Sequence, residues 1–242
     1  MSEIKFKVAG FTDIGLGREK NDDSFLIDND LHLYAVADGL GGLPDGDVAS
    51  QIAVRDLAGL FKANSLPGRP VDWDIIFNDI NKKIFDEGKK LYPEYGIATT
   101  LTALSFRENF FSIGHAGDSG IYLFRNREIQ QLTRDHTVAQ EIWQSLSEEK
   151  RKYTSIPEQL YHTLTRCLGQ RPSLDIDFYE HELLPGDKLL LYTDGVTKTI
   201  SEHRMGMLMK AYDTPEHLLA EIKKIAYEKE APDNLSAIAL FF

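Results

Sequence analysis

The sequence predicts an α+β protein in which antiparallel sheets pack together and helices cover their outer faces. Three observations predict it. Short apolar segments follow one another at gaps of two to four residues, which hairpins can bridge and parallel crossovers cannot. Helix-length amphipathic stretches sit between those runs, each with an apolar stripe to bury. No repeat, low-complexity tract or Pro/Gly/Ser-rich linker interrupts the 242 residues, so a single domain over residues 1–242 is expected.

Taken in order, residues 24–27 (SFLI) and 31–38 (LHLYAVAD) read as a hairpin around the turn at 28–30. Residues 47–61 then carry Val48, Ile52, Leu57, Leu60 and Phe61 at helical spacing, and 73–91 carry Trp73, Ile76, Phe77, Ile80 and Ile84. The break between these helices is NSLPGRP, residues 64–70. Strands are expected at 97–106, 110–117, 120–125 and 128–132, then a polar, helix-prone stretch at 137–152. Strands return at 174–184 and 188–193. Thr214 can cap a helix that has Pro215 in its first turn and Glu216 at its positive end. The chain closes on a strand at 234–242.

Composition narrows the function. A net charge of −11 disfavours a broad nucleic-acid surface, because it repels phosphate backbones. Phosphorylated ligands stay open if cations neutralise a cluster of carboxylates locally. Cys167 is the one cysteine, so no internal disulfide can form; it reads as buried and inert, and suits a reducing cytoplasm. The first ten residues hold no apolar signal core, and no run approaches the ~18 apolar residues of a membrane span. A cytoplasmic monomer without membrane or nucleic-acid partners is expected.

Aspartates recur in one context. Asp38 (YAVADGLGG), Asp118 (SIGHAGDSG) and Asp194 (LLLYTDGVT) each stand where an apolar strand gives way to a small or polar turn. Asp233 (APDNLSAIAL) precedes the last strand. Each alone fits an ordinary Asp–Gly or Asp–Asn turn. Gathered at one sheet edge, they would repel one another unless cations were present, and such oxygen-rich sites suit Mg²⁺ or Mn²⁺. Just before the first hairpin strand, Arg18 precedes Asn21, Asp22 and Asp23 in DIGLGREKNDDS. A guanidinium can grip a phosphate in bidentate fashion, whereas an isolated segment of this kind is a solvated loop. The paired threonines of GIATTLTAL read most simply as half-buried strand residues.

The ordered series GREKNDD, DGLGG, ATTL, GDS, LTRDH, LTRCLG, GDKLLLYTDGVT and DNLSAIAL resembles the metal-dependent protein phosphatase 2C (PP2C, PPM) family, above all its compact bacterial members. The resemblance covers residues 11–242. It implies a central antiparallel β-sandwich flanked by helix pairs, in α-β-β-α layers, which agrees with the strand reading. It implies hydrolysis of phosphoserine and phosphothreonine in proteins at a two-metal centre of Mn²⁺ or Mg²⁺ that readies a water for in-line attack on phosphorus. On this resemblance Asp38 bridges both ions, the Gly39 carbonyl binds the second, and Asp194 and Asp233 complete the first. Asp22 and Asp23 contact waters on the ions, Asp118 with Asp194 offers a third, weaker position, and Arg18 holds the substrate phosphate. A Ser/Thr kinase in a bacterial circuit is the implied counterpart.

The chain departs from that pattern in places. Leu40 stands where many eukaryotic relatives have a histidine proposed as general acid, and Gly120 where the family usually has arginine. The flap, about residues 137–163, lacks the usual bacterial pattern; Ile142, Trp143 and Leu146 could face a partner or pack on the body. His115 and His136 read as hydrogen-bonded structural residues and the remaining histidines as surface ones. The competing function class is a catalytically inactive phosphatase-like module that binds phosphoproteins.

Overall fold

The computed structural model describes residues 5–65 and 70–242, so the middle of the NSLPGRP break lies outside the described residues. The chain runs β1 (Lys7–Asp13), β2 (Asp23–Asp28), β3 (Leu33–Asp38), α1 (Gly46–Asn64), α2 (Trp73–Leu91), β4 (Leu101–Arg107), β5 (Phe110–Ala116), β6 (Gly120–Arg125) and β7 (Glu128–Gln131). It continues through α3 (Val138–Ser145), α4 (Glu148–Arg151), a 3₁₀ turn at Glu158–Tyr161, β8 (Asp177–Glu182) and β9 (Lys188–Tyr192). The last elements are α5 (Asp194–Thr199), α6 (Glu202–Ala211), α7 (Pro215–Glu228) and β10 (Leu235–Phe241).

The strands form two five-stranded antiparallel sheets, ordered β1-β10-β9-β6-β7 and β2-β3-β4-β5-β8. Period-two alternation explains the layering. In β3, Tyr34 and Val36 point between the sheets, where they meet Leu104, Ile113, Leu191 and Ile238. Leu33, Ala35 and Ala37 point outward onto α1 and α2 through Ile52, Leu57, Phe77 and Ile80. The other sheet repeats the device: Leu189 and Leu191 face the sandwich core, while Leu190 and Tyr192 face the cluster of α5, α6 and α7. Both faces of the central strands are therefore buried, and those strands read as continuous apolar runs. Four layers, α-β-β-α, result.

Differences from the sequence expectations have local causes. The strand expected from residue 97 starts at Leu101, because Thr99 is drawn into single bridges with Gly39 and Leu168. The strand expected from 174 starts at Asp177. Leu174 instead exchanges both backbone polar groups with Asn78 of α2, at 3.0 Å and 3.1 Å. The helix-prone stretch at 137–152 divides into α3 and α4, since Leu146 and Ser147 adopt extended backbone. Trp143 donates to the Tyr161 hydroxyl at 3.2 Å, which holds α3 on the 3₁₀ turn. The start of α7 follows expectation: Thr214 accepts from the backbone N–H of His217, and Pro215 occupies the first turn.

Candidate active site

Antiparallel strands bring alternate connections to the same end of a sandwich. The end of β3, the starts of β2, β4 and β10, the β5–β6 turn and the end of β9 all lie at one end. That edge carries Asp38, Asp22, Asp118, Asp194 and Asp233. Together with Arg18, Gly39, Leu40, Thr100, His162, Cys167 and Lys198 they line a cleft of about 620 Å³.

Each aspartate is held by backbone that the fold fixes elsewhere. The Asp38 N–H donates to Thr100 Oγ1 at 2.9 Å, and its carbonyl accepts from the Thr100 N–H at 2.8 Å and from Thr99 Oγ1 at 2.9 Å. Thr100 Oγ1 in turn pairs with Ser119 Oγ, beside Asp118, at 2.8 Å. The threonines read as plain strand residues are thus a buried clamp joining two acidic loops. Asn234 does the same for two others: its Oδ1 accepts from the Asp22 N–H, and its Nδ2 donates to the carbonyls of Ile14 and Lys20, all at 2.9 Å. Gly39 has no room for a side chain, since a Cβ there would meet the Gly46 carbonyl oxygen at 2.2 Å. A Cβ on Gly195 would stand 1.9 Å from the Asn234 carbonyl oxygen, so the Asp194 and Asp233 segments touch backbone to backbone. At Gly120 the Tyr192 hydroxyl lies 2.5 Å from where a Cβ would be, so an arginine there would require that side chain to shift.

The electrostatics follow from crowding. Burial, and then the charges of Asp23, Asp194, Asp118 and Asp233, push the Asp38 carboxyl well above the usual carboxylate range. Asp118 is raised by burial and by Asp194 and Asp135. Burial also raises Asp22. Asp233 goes the other way: burial acts to raise it, but hydrogen bonds from Arg18 and Lys198 outweigh that and hold it low. Arg18 makes a bidentate pair with it, Nε to Oδ1 at 2.7 Å and Nη2 to Oδ2 at 2.9 Å.

Asp23 departs from its expected place at the cleft. It is buried behind Asp38, its register partner, and accepts from Thr193 Oγ1 at 2.7 Å. The strand alternation that turns Asp22 toward the cleft turns its neighbour into the sandwich. Lys198 and His162 join the site without having been singled out in the sequence. Lys198 had a signal, one helical turn after Asp194; His162 had none, because its position is set by the path of the flap. Cys167 is half-buried at the cleft wall, its thiol pushed up to about 11 by burial and by Asp118, which suits an inert thiol. His115 is fully buried, its Nδ1 paired with Thr102 Oγ1 and its Nε2 donating to the Arg134 carbonyl, both at 2.9 Å. His136 Nδ1 accepts from the Gly117 N–H at 3.2 Å. Both histidines brace the loop around Asp118.

Among the described residues no three His, Cys, Asp or Glu side chains close into a ready-made metal cage; Lys198 and Arg18 intervene at Asp194 and Asp233. The donor chemistry nonetheless fits hard divalent cations. It consists of carboxylates and a backbone carbonyl at a cleft wall, and buried Asp194 Oδ1 has no hydrogen-bond partner.

Residues 17–237 match the family model for protein phosphatase 2C. The serine/threonine phosphatase stp of Listeria monocytogenes is 30% identical over 210 residues, covering 84% of this chain and 82% of that protein. The protein phosphatase PhpP of Streptococcus pneumoniae is 31% identical over 202 residues, covering 81% and 80%. Among solved structures, the catalytic domain of the serine/threonine protein phosphatase PstP in complex with two manganese ions superposes with a TM-score of 0.83 at 28% identity, covering 98% of this chain and 97% of that one.

Proposed function

Because the chain belongs to the protein phosphatase 2C family, we propose that its cleft removes the phosphoryl group from phosphoserine and phosphothreonine in proteins, with Mn²⁺ or Mg²⁺ as cofactor. The observation that carries the reading is the convergence of Asp38, Asp118, Asp194 and Asp233 with Arg18 on one cleft, from five separate connections. Asp38 would hold both core ions, with Asp194 and Asp233 completing the first and the Gly39 carbonyl the second, and Asp118 with Asp194 would hold a third, weaker one. When bound, such ions supply a reactive water and disperse charge on the phosphoryl oxygens.

The chain's own residues do the rest. Asp233 fixes the plane of the Arg18 guanidinium, whose side chain is 41% exposed at the cleft and is thus set to orient phosphoryl oxygens. Asp22, whose N–H donates to Asn234 and whose carboxylate accepts from the Asp47 N–H at the start of α1, is placed at the wall to accept hydrogen bonds from water. Leu40 can neither donate nor accept a proton, so it lines the cleft without serving the leaving oxygen. Asp23 supports the site from behind, through Thr193.

A Ser/Thr kinase as the opposing enzyme, a cytoplasmic setting and a monomeric state belong to the same proposal. A single free cysteine supports the setting, and no helix among the described residues is long and apolar enough to cross a membrane. The test is phosphate release from a phosphothreonine peptide with and without Mn²⁺, wild type beside Asp38→Asn. Release that needs Mn²⁺ and falls by about 10³-fold or more in the variant supports the reading. A folded, Mn²⁺-loaded wild type without activity would make the protein a phosphoprotein-binding module instead.

A further inference from the structure

We infer that Lys198 is a built-in placeholder cation for the first metal position, the one that Asp194 and Asp233 complete, and that an ion enters between those two residues only by displacing its ammonium. This rests on the metal-dependent reading above and adds to it a residue that tunes the centre. Lys198 stands four residues after Asp194 on α5, which puts both side chains on one face of the helix. Its Nζ lies 2.5 Å from Asp194 Oδ2 and 2.5 Å from Asp233 Oδ2, bridging carboxylates that the chain delivers from separate elements. The side chain is 26% exposed and lines the cleft, so solvent and salt screen the bridge less than they would a pair on the open surface.

Arg18 donates to both oxygens of Asp233 and shares Oδ2 with Lys198, so both oxygens of that carboxylate are engaged. At Asp194, Oδ2 is engaged by Lys198 and Oδ1 is buried without a hydrogen-bond partner. A divalent ion seeking both residues therefore meets one idle oxygen and an ammonium already seated between them. Entry is an exchange in which the ammonium gives up two carboxylate oxygens and the ion takes them. The affinity of this position is the difference between the two interactions, lower than the carboxylates alone would give. Before the ion arrives, the same ammonium offsets the repulsion of two crowded carboxylates and keeps their loops in register. Once displaced, Lys198 stays at the cleft wall that also holds Arg18.

The experiment titrates Mn²⁺ alone into chelator-treated protein by calorimetry. It compares wild type, Lys198→Met and Lys198→Arg with Lys223→Met, which removes an equal charge from a pair with Asp13 outside the cleft lining. Lys198→Met is expected to bind Mn²⁺ about tenfold more tightly or better, because the ion no longer competes with a resident charge. Lys198→Arg, which keeps a resident charge between the carboxylates, binds Mn²⁺ no more tightly than wild type, and Lys223→Met stays at wild-type affinity. If circular dichroism shows Lys198→Met unfolded, Lys198→Gln takes its place with the same expectation. Binding by the neutral variant that is equal to or weaker than wild type overturns the inference and leaves the metal-dependent reading standing. Absence of binding in every protein, wild type included, overturns both.

Discussion

At the scale of single residues the protein places like charges together and then manages the repulsion. Asp38 is pushed upward by burial and by its neighbours, whereas Asp233 is held low by two cations, so residues of one type differ by environment. Arg18→Ala removes a charge-assisted grip of roughly 1.5–3 kcal/mol, and is expected to lower kcat/KM by about 10–100-fold with most of the change in KM. Steady-state kinetics on a phosphopeptide would check it. His115 gives a pH prediction. Burial pushes its pKa from 6.5 down to about 3, with the neighbouring His136 adding to the effect. The unfolded chain therefore binds the extra proton between those two values and the folded one does not. Stability is full above about pH 6.5 and is lost as pH falls toward 3, by about 2 kcal/mol at pH 5. Urea unfolding of His115→Gln should show a flatter slope between pH 6.5 and 5 than wild type; equal slopes would refute the assignment.

At the scale of elements, the site depends on close backbone crossings more than on any one strand. Gly195→Ala drives a methyl group against the Asn234 carbonyl, and is expected to destabilise the fold by about 1–3 kcal/mol by overpacking. Because the strained contact joins the Asp194 and Asp233 segments, Mn²⁺ affinity should fall in the same variant, as read by calorimetry. The elements also show where local pattern stops. The cap of α7 at Thr214 and Pro215 is a local signal and is legible in the sequence. The late start of β8 is not, because it depends on Asn78, 96 residues away from Leu174. The division between α3 and α4 belongs with it, as the flap packs against its own 3₁₀ turn through Trp143 and Tyr161.

At the scale of the whole molecule, two sheets and two helical layers leave one end of the sandwich to carry the chemistry. The ions proposed for that end bind the folded state alone, so they should stabilise all of it. Mn²⁺ at about 100 times its dissociation constant adds about 2.7 kcal/mol, which raises Tm by roughly 5–10 °C for a chain of this length. Calorimetric scans with Mn²⁺ and with chelator would measure the shift, and coincident melts would count against a metal centre. The net charge of −11 makes the same point from outside, since a cation bound among these carboxylates also relieves general repulsion.

By itself the sequence determined the layers and pointed to most of the acidic residues that line the cleft. Continuous apolar runs such as LHLYAVAD encode strands buried on both faces, amphipathic stretches such as 73–91 encode which helix face is buried, and short gaps encode antiparallel pairing. The recurrence of aspartate at strand ends encoded the acidic edge, because antiparallel pairing returns those ends to one place. Tertiary structure alone decided three things. It turned Asp23 behind the cleft, made the paired threonines a clamp on Asp38, and set Lys198 between Asp194 and Asp233. The physical reason is common to all three. Each depends on side chains from segments far apart in sequence meeting within hydrogen-bond distance, and local patterning specifies which face a residue takes without specifying what it meets there.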